Sequence, residues 1–219
     1  MEENIEREEK IRKRIEELKQ NFSLTEENKR FIYDSLSDES WRVRKDAISL
    51  AIENPDDEVI DILIKGLSSE ENAGLRNACQ EALTKIGEKT IKKLIISFKN
   101  ADRDVRKFII DIIGDIGIPN YADFLISALD DNDENVVISA CENLGKLKNK
   151  NAIEPLLKKL DKKNEWLSFV VLESLSQIAH PFDAEKILPL WEISQLRKPI
   201  LDIITFFDEK TAKDLLVKA

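Results

Sequence analysis

The chain has 219 residues, of which 42% are hydrophobic and 35% charged, and its net charge is −9. That is enough apolar material for a packed core and excludes disorder by composition, while the acidic balance argues against binding nucleic acid or anionic membranes by charge. No apolar run approaches the roughly 18 residues that a membrane span needs, and the N-terminus is charged, so a cytoplasmic protein is expected.

Residues 2–22 come first and carry six basic and seven acidic side chains, with Ile11, Ile15, Leu18 and Phe22 at helical spacing. This stretch, taken as residues 1–22, is expected to be an amphipathic helix that covers the exposed end of the first helix pair, as the terminal units of stacked structures require; pairing with another chain is the alternative. Ser23-Leu24-Thr25-Glu26 has the form of a capping box and should open the next helix.

From there the apolar pattern predicts helix pairs over 26–36/40–53, 56–67/73–86, 88–99/103–116, 119–129/134–147, 151–160/165–179 and 183–191/194–207. The third pair shows the logic. Ile91, Leu94, Ile95 and Phe98 form one face at i, i+3, i+4 and i+7, and Asn100-Ala101-Asp102 interrupts it. Val105, Ile109, Ile112, Ile113 and Ile116 form the next face, and Gly117 is placed to end it. Pro155 and Pro199 fall in first turns, where a missing N–H is tolerated, whereas Pro189 lies deeper and should kink its helix. Asp208–Ala219 resembles a first helix without a second, which is either a cap, a continuation point of a longer protein, or a surface for self-association.

The pairs repeat. Lys29, Ile60, Ile91, Ala122, Ile153 and Ala184 are each 31 residues apart, and the second helices open on Val43, Leu75, Val105, Val136, Leu167 and Leu196 at nearly the same interval. A period of this length predicts an α-solenoid in which stacked pairs share one core. Cys79 and Cys141 lie two repeats apart, about 20 Å at the usual spacing of packed helices, too far for a disulfide; they are expected to be buried apolar residues.

At these residues a resemblance emerges. A turn Asp followed by Val-Arg, then an apolar stretch ending in Leu-Gly, as in Asp102-Arg103-Asp104-Val105-Arg106 and Glu142-Asn143-Leu144-Gly145, resembles the HEAT repeat, in particular the HEAT-like repeat of phycobilisome lyases. The resemblance covers about residues 26–219 and implies an all-α, right-handed solenoid of about six helix pairs with an N-terminal capping helix and a C-terminal half repeat, residues 23–219 forming one domain with it. It also implies a hydrogen-bonded ladder of turn Asp and following Arg along the repeats. Arg44, Arg76, Arg106 and Arg197 fit, while Val137 and Ser168 break the pattern. Arg42-Val43-Arg44-Lys45 and Ala73-Gly74-Leu75-Arg76-Asn77-Ala78 further resemble bacterial HEAT proteins of chemotaxis-like signalling.

Catalytic chemistry finds little support. The only histidine, His180, precedes Pro181 in a turn, and no His-Glu pair of the kind that binds di-iron in related hydroxylases is present. One histidine and two distant cysteines make no zinc site, and phosphate-binding glycine loops and G-x-S-x-G are absent. No cofactor is expected. HEAT-like DNA glycosylases would need a basic groove, the opposite of this charge balance.

Aligning the second helices on their opening residue isolates a candidate surface. Six positions on stand Ser49, Glu81, Asp111, Glu142, Glu173 and Asp202; two positions on stand Lys45, Asn77, Lys107, Ile138, Phe169 and Lys198. The two positions are four apart and share a helix face, which the resemblance places on the concave side. One reading is a solvated face with ordinary pairs such as Lys107–Asp111 and Lys198–Asp202. The pairing lapses at Ile138/Glu142 and Phe169/Glu173, where Val137 and Ser168 also break the Arg pattern and Trp166 stands at a position that is polar or glycine elsewhere. Trp166 and Phe169 either fill a packing gap beside Trp191 or form an exposed patch for a protein or peptide carrying apolar and basic residues. The expected function is a non-enzymatic adaptor or scaffold binding a partner through Val137, Ile138, Trp166, Phe169, Glu81, Asp111, Glu142, Glu173 and Asp202. The alternatives are a bilin-lyase-like chromophore chaperone and a structural building block that self-associates through its C-terminal end.

Overall fold

The computed structural model describes residues 2–218, and all regular structure in that range is helical. Met1 and Ala219, the outer ends of the helices expected over 1–22 and 208–219, lie outside the described residues. The chain divides into two compact units, Met1–Ile112 and Ile113–Ala219.

The first unit opens with α1 (Glu2–Gln20), followed by the pairs α2 (Glu26–Leu36) with α3 (Trp41–Glu53) and α4 (Asp57–Leu67) with α5 (Ala73–Ile86). Next comes α6 (Glu88–Phe98), and α7 (Arg103–Ile116) carries the chain onward. Helix α1 packs on α3, burying Ile15 fully and Leu18 nearly so, and is tied at its exposed edge by Arg7–Asp38 at 2.6 Å and Arg12–Asp46 at 2.5 Å. The start of α2 differs from expectation: its N-cap is Thr25, whose hydroxyl accepts from the Asn28 amide, not Ser23. Ser23 instead receives the Asn28 side chain on its carbonyl, at 3.0 Å. Thr25 wins because it lies directly before the first helical turn, where its oxygen can reach an orphan amide three residues on.

The second unit contains α8 (Ala122–Ser127), α9 (Glu134–Lys146), α10 (Ile153–Leu157), α11 (Glu165–Ile178), α12 (Arg197–Ile204) and α13 (Glu209–Lys218). Its first helices are shorter than the periodicity predicts. The expected helix over 151–160 begins with the 3₁₀ turn Lys150–Ala152, and that over 119–129 has 3₁₀ turns at both ends. The one over 183–191 is replaced by the 3₁₀ turns Ala184–Lys186 and Leu188–Leu190. Proline accounts for the last case. Pro189 cannot donate to the carbonyl four residues back, and the surrounding amides bond three back instead, Leu190 to Ile187 and Trp191 to Leu188 at 3.0 Å each.

The core follows the repeat. Val43, Leu75, Val105, Val136 and Leu196, which open their second helices, are all buried, as are Ile60, Ile91, Ala122, Ile153 and Ala184 on the first. Small residues let neighbouring helices approach closely. A Cβ on Gly66 of α4 would lie 2.3 Å from the Cys79 sulfur on α5, and one on Gly145 of α9 would lie 2.9 Å from the Ser174 Cα on α11. Both cysteines are free and buried, and burial pushes each thiol up to about 12. Gly117, at φ +75°, ends α7 in the left-handed region that glycine adopts without strain.

The arginine ladder takes a form that the resemblance did not imply. Arg44 donates to the carbonyls of Asp38 at 2.6 Å and Glu39 at 2.9 Å, Arg76 to that of Glu70 at 3.0 Å, and Arg197 to that of Trp191 at 3.0 Å. Each guanidinium thus staples the turn before its own helix. At the first break in the pattern, Val137 is buried and supplies no polar group. At the second, Ser168 does the same work, donating to the Asp161 carbonyl at 2.8 Å and accepting from its amide at 3.0 Å. Successive repeats are linked at the turns by Asn72, which donates to the Ser37 carbonyl at 3.0 Å, and by Asn164, which donates to the Glu134 carboxylate at 2.8 Å. Along the first helices they are linked by lysine–carboxylate pairs: Lys29–Glu58 and Lys93–Asp61 in the first unit, Lys159–Asp130, Lys186–Glu154 and Lys218–Glu185 in the second.

Candidate protein-interaction site

The long acidic stripe resolves into two kinds of carboxylate. Asp111 is paired with Lys107 at 2.7 Å, Asp202 with Lys198 at 2.7 Å, and Glu81 with Lys85 at 2.5 Å, all one helical turn apart. Such exposed pairs are ordinary surface chemistry worth well under about 1 kcal/mol each. Glu142 and Glu173 make no ion pair among the described residues; Lys198, already bonded to Asp202, feels the Glu173 charge without contacting it. These two unpaired carboxylates are the ones whose helical neighbours at i−4 are Ile138 and Phe169.

Helix α11 explains what surrounds them. Its sequence Trp166-Leu167-Ser168-Phe169-Val170-Val171-Leu172 is apolar nearly all round, so burying one stripe leaves another outside. Ser168, Val170, Val171 and Leu172 face the core. Trp166 is 59% exposed and stacks on half-buried Phe169, with ring centroids 5.9 Å apart and planes within 9°. Trp191 is not its neighbour in this stack: it lies beneath the Arg197 guanidinium, 5.7 Å from ring to charge.

The stacked rings head an open groove of about 280 Å³ between α9 and α11. Glu142 and Lys146 line it from α9, and Phe169, Glu173 and Gln177 from α11. Lys146 is held by Asp115 at 3.3 Å and by the Asn143 side-chain oxygen at 3.1 Å, which leaves the two glutamates as the groove's uncompensated charge. Of the residues singled out from sequence, the structure brings together Trp166, Phe169, Glu142 and Glu173. Ile138 is half-buried on α9. Val137 is only 7% exposed and supports the helix from within, so it is no part of the accessible surface. Glu81 lines a separate groove in the first unit.

That first-unit groove, about 510 Å³ between α3 and α5, is not foreseen from the sequence. Its mouth is marked by Trp41, 58% exposed. The available signal is a tryptophan at the first position of a second helix, in the polar run Asp38-Glu39-Ser40-Trp41-Arg42, where nothing local needs a large apolar group.

No group of histidine, cysteine, aspartate and glutamate among the described residues is arranged to hold a metal ion. His180 Nδ1 lies 2.9 Å from the carbonyl of Pro181 in its own turn. Among the described residues no helix is long and apolar enough to cross a membrane.

Comparison with known proteins agrees with the repeat. The family model for HEAT repeats matches residues 91–176 and 122–193. No curated protein matches. Among solved structures, the complex of CpcE and CpcF of phycocyanin lyase from Nostoc sp. PCC7120 is 15% identical, over 89% of this chain and 82% of that one, with a TM-score of 0.40. An engineered protein is 16% identical, over 96% and 94%, also at 0.40. The match to HEAT repeats thus spans residues 91–193, and helix pairs of the same kind recur in both units.

Proposed function

We propose that the chain is a non-enzymatic adaptor that holds a segment of another protein against α9 and α11, the segment presenting an apolar side chain flanked by lysine or arginine. The observation that carries this reading is the exposed Trp166–Phe169 stack beside two carboxylates that have no cation of their own. A large aromatic residue left 59% exposed in water is costly unless something covers it. With roughly 150 Å² of ring surface still accessible, full coverage returns about 3–4 kcal/mol before ordering costs. That is the magnitude of an interface hot spot, a class in which tryptophan is enriched. Glu142 and Glu173 supply selectivity for a basic flank and steer its approach.

The test is binding of a fluorescein-labelled basic amphipathic peptide, Lys-Lys-Leu-Lys-Lys-Phe-Lys-Lys-Leu-Lys, followed by anisotropy. Trp166→Ala should weaken binding about 30-fold, which is about 2 kcal/mol, and shift stability by less than about 0.5 kcal/mol because the ring is a surface group. Equal binding by the variant and the parent would sink the proposal; so would a large loss of stability with binding unchanged, which would make the stack a packing element.

A further inference from the structure

The first unit carries the counterpart of this groove with the opposite charge. It runs between α3 and α5, with Trp41 at the mouth and Ile48 and Ile52 along its wall. Gly74 at the start of α5 lines the groove beside Arg44; a Cβ there would meet the Asn72 side-chain oxygen at 3.2 Å and the Arg44 guanidinium carbon at 3.5 Å.

The charges around it do not balance. Glu53 is occupied by Ser49 at 2.7 Å and Lys19 at 3.4 Å, and Glu81 by Lys85. Arg44 is spent on the carbonyls of its own turn. Lys45 and Arg42 remain, both exposed and neither with a carboxylate partner among the described residues; the Arg42 guanidinium lies 5.1 Å from the Trp41 ring centroid. The reason is legible in the repeat. Lys107 and Lys198 each find an aspartate one turn on, but the residue one turn beyond Lys45 is Ser49. The first repeat thus keeps the cation and lacks the acid, while the repeats of α9 and α11 keep the acid and lack the cation. The N-terminal ends of α3 and α5 add the positive pole of their dipoles at the same mouth.

We propose that the groove between α3 and α5 is a second docking site, for an acidic peptide segment whose apolar side chain packs on Trp41 while its carboxylates meet Arg42 and Lys45. This assignment is independent of the α9–α11 site. A peptide suits it better than a nucleic acid, because two unpaired cations on a chain of net charge −9 cannot neutralise a row of phosphates.

The probe is the fluorescein-labelled peptide Asp-Glu-Leu-Asp-Asp-Phe-Glu-Asp-Leu-Glu, titrated against the full chain at low salt. Saturable binding is expected, weakening as ionic strength rises. Arg42→Glu with Lys45→Glu should reduce affinity at least about tenfold, as should Trp41→Ala, with unchanged far-ultraviolet circular dichroism since all three side chains are exposed. Trp166→Ala should leave this peptide's affinity unchanged, so failure here and failure of the α9–α11 site are distinguishable. No saturation up to about 1 mM, a dissociation constant at the weak limit of specific binding, would overturn the proposal. So would equal affinity in the charge-reversed variant, or tighter binding of a single-stranded oligonucleotide than of the acidic peptide.

Discussion

Replacing Gly66 by alanine tests whether helix contact in the first unit is as close as the structure shows. Gly66 lies in the last turn of α4 and is buried; its added Cβ would meet the Cys79 sulfur at 2.3 Å, well inside any tolerated contact. Cys79 is fully buried on α5. Overpacking of this kind costs about 1–3 kcal/mol, here at the upper end because the approach is so short. Alanine's better helix propensity returns up to about 1 kcal/mol, less near a helix end. The net loss should be about 1–2 kcal/mol. Removing the sulfur reverses the sign. In a Cys79→Ala background the nearest atoms are the mobile Leu75 Cδ1 at 3.3 Å and the residue 79 Cβ at 3.5 Å, so the same Gly66→Ala change becomes neutral or stabilising by about 0.5 kcal/mol. The two substitutions therefore couple by about 2 kcal/mol, far outside additive behaviour. Amide hydrogen exchange of α4 and α5 reads this locally: protection should fall about 5–30-fold in Gly66→Ala and recover in the double variant. Additive losses, or a neutral Gly66→Ala, would refute the close approach.

Buried polar groups give two more expected outcomes. Burial holds the Cys79 and Cys141 thiols at about 12, above the ordinary value of 9.0, by disfavouring the thiolate. The raised value means that their contribution to stability is complete below pH 9.0 and is lost as pH rises towards about 12; Cys79→Ala with Cys141→Ala should flatten this alkaline loss in urea titrations, and an unchanged profile would show that burial is not its cause. Ser168 is fully buried and holds both the amide and the carbonyl of Asp161, so Ser168→Ala should cost about 1–3 kcal/mol by stranding them, read as faster exchange at the Asp161 turn; no change there would mean that water replaces the hydroxyl.

The helix pairs of the first unit are readable from sequence because two independent signals coincide there. Apolar residues recur at helical spacing, and Gly87, Asn54-Pro55 and Asp102 punctuate them where the chain turns. In the second unit the same periodicity overstates the helices; over 183–191 this is because Pro189 removes a donor without disturbing the apolar pattern that surrounds it. The lysine–carboxylate rungs of the first helices are not legible, because which lysine meets which acid depends on how far one helix is offset from the next. Trp166 and Phe169 stand out as departures from the repeat, yet whether they face water cannot be read from a helix that is apolar on every side. Val137 shows the converse: it breaks the arginine pattern and still lies inside. Trp41 stays hidden when repeats are compared at the positions where charge recurs, because it stands outside them.

A repeat protein offers an internal control that a globular domain lacks, since each copy states what the fold alone requires. The fold requires an apolar residue to open each second helix, and all six copies comply, Leu167 being only half-buried. It requires the preceding turn to be tied down, and arginine or Ser168 does so in most copies. A surface pair of lysine and carboxylate one turn apart is required by nothing, contributes little, and is nonetheless present in α7 and α12. In α5, where Asn77 stands in place of the lysine, Glu81 pairs with Lys85 instead. In α3, α9 and α11 one half of the pair is missing and the other has no substitute partner among the described residues, and folding stability gives no reason for the omission. The surviving charge then sits beside an exposed tryptophan, with a carboxylate left over at Trp166 and a cation left over at Trp41. Chance loss of a partner would leave unpaired charges scattered among polar neighbours; their coincidence with the two most exposed tryptophan side chains is what a surface shaped by a ligand would show.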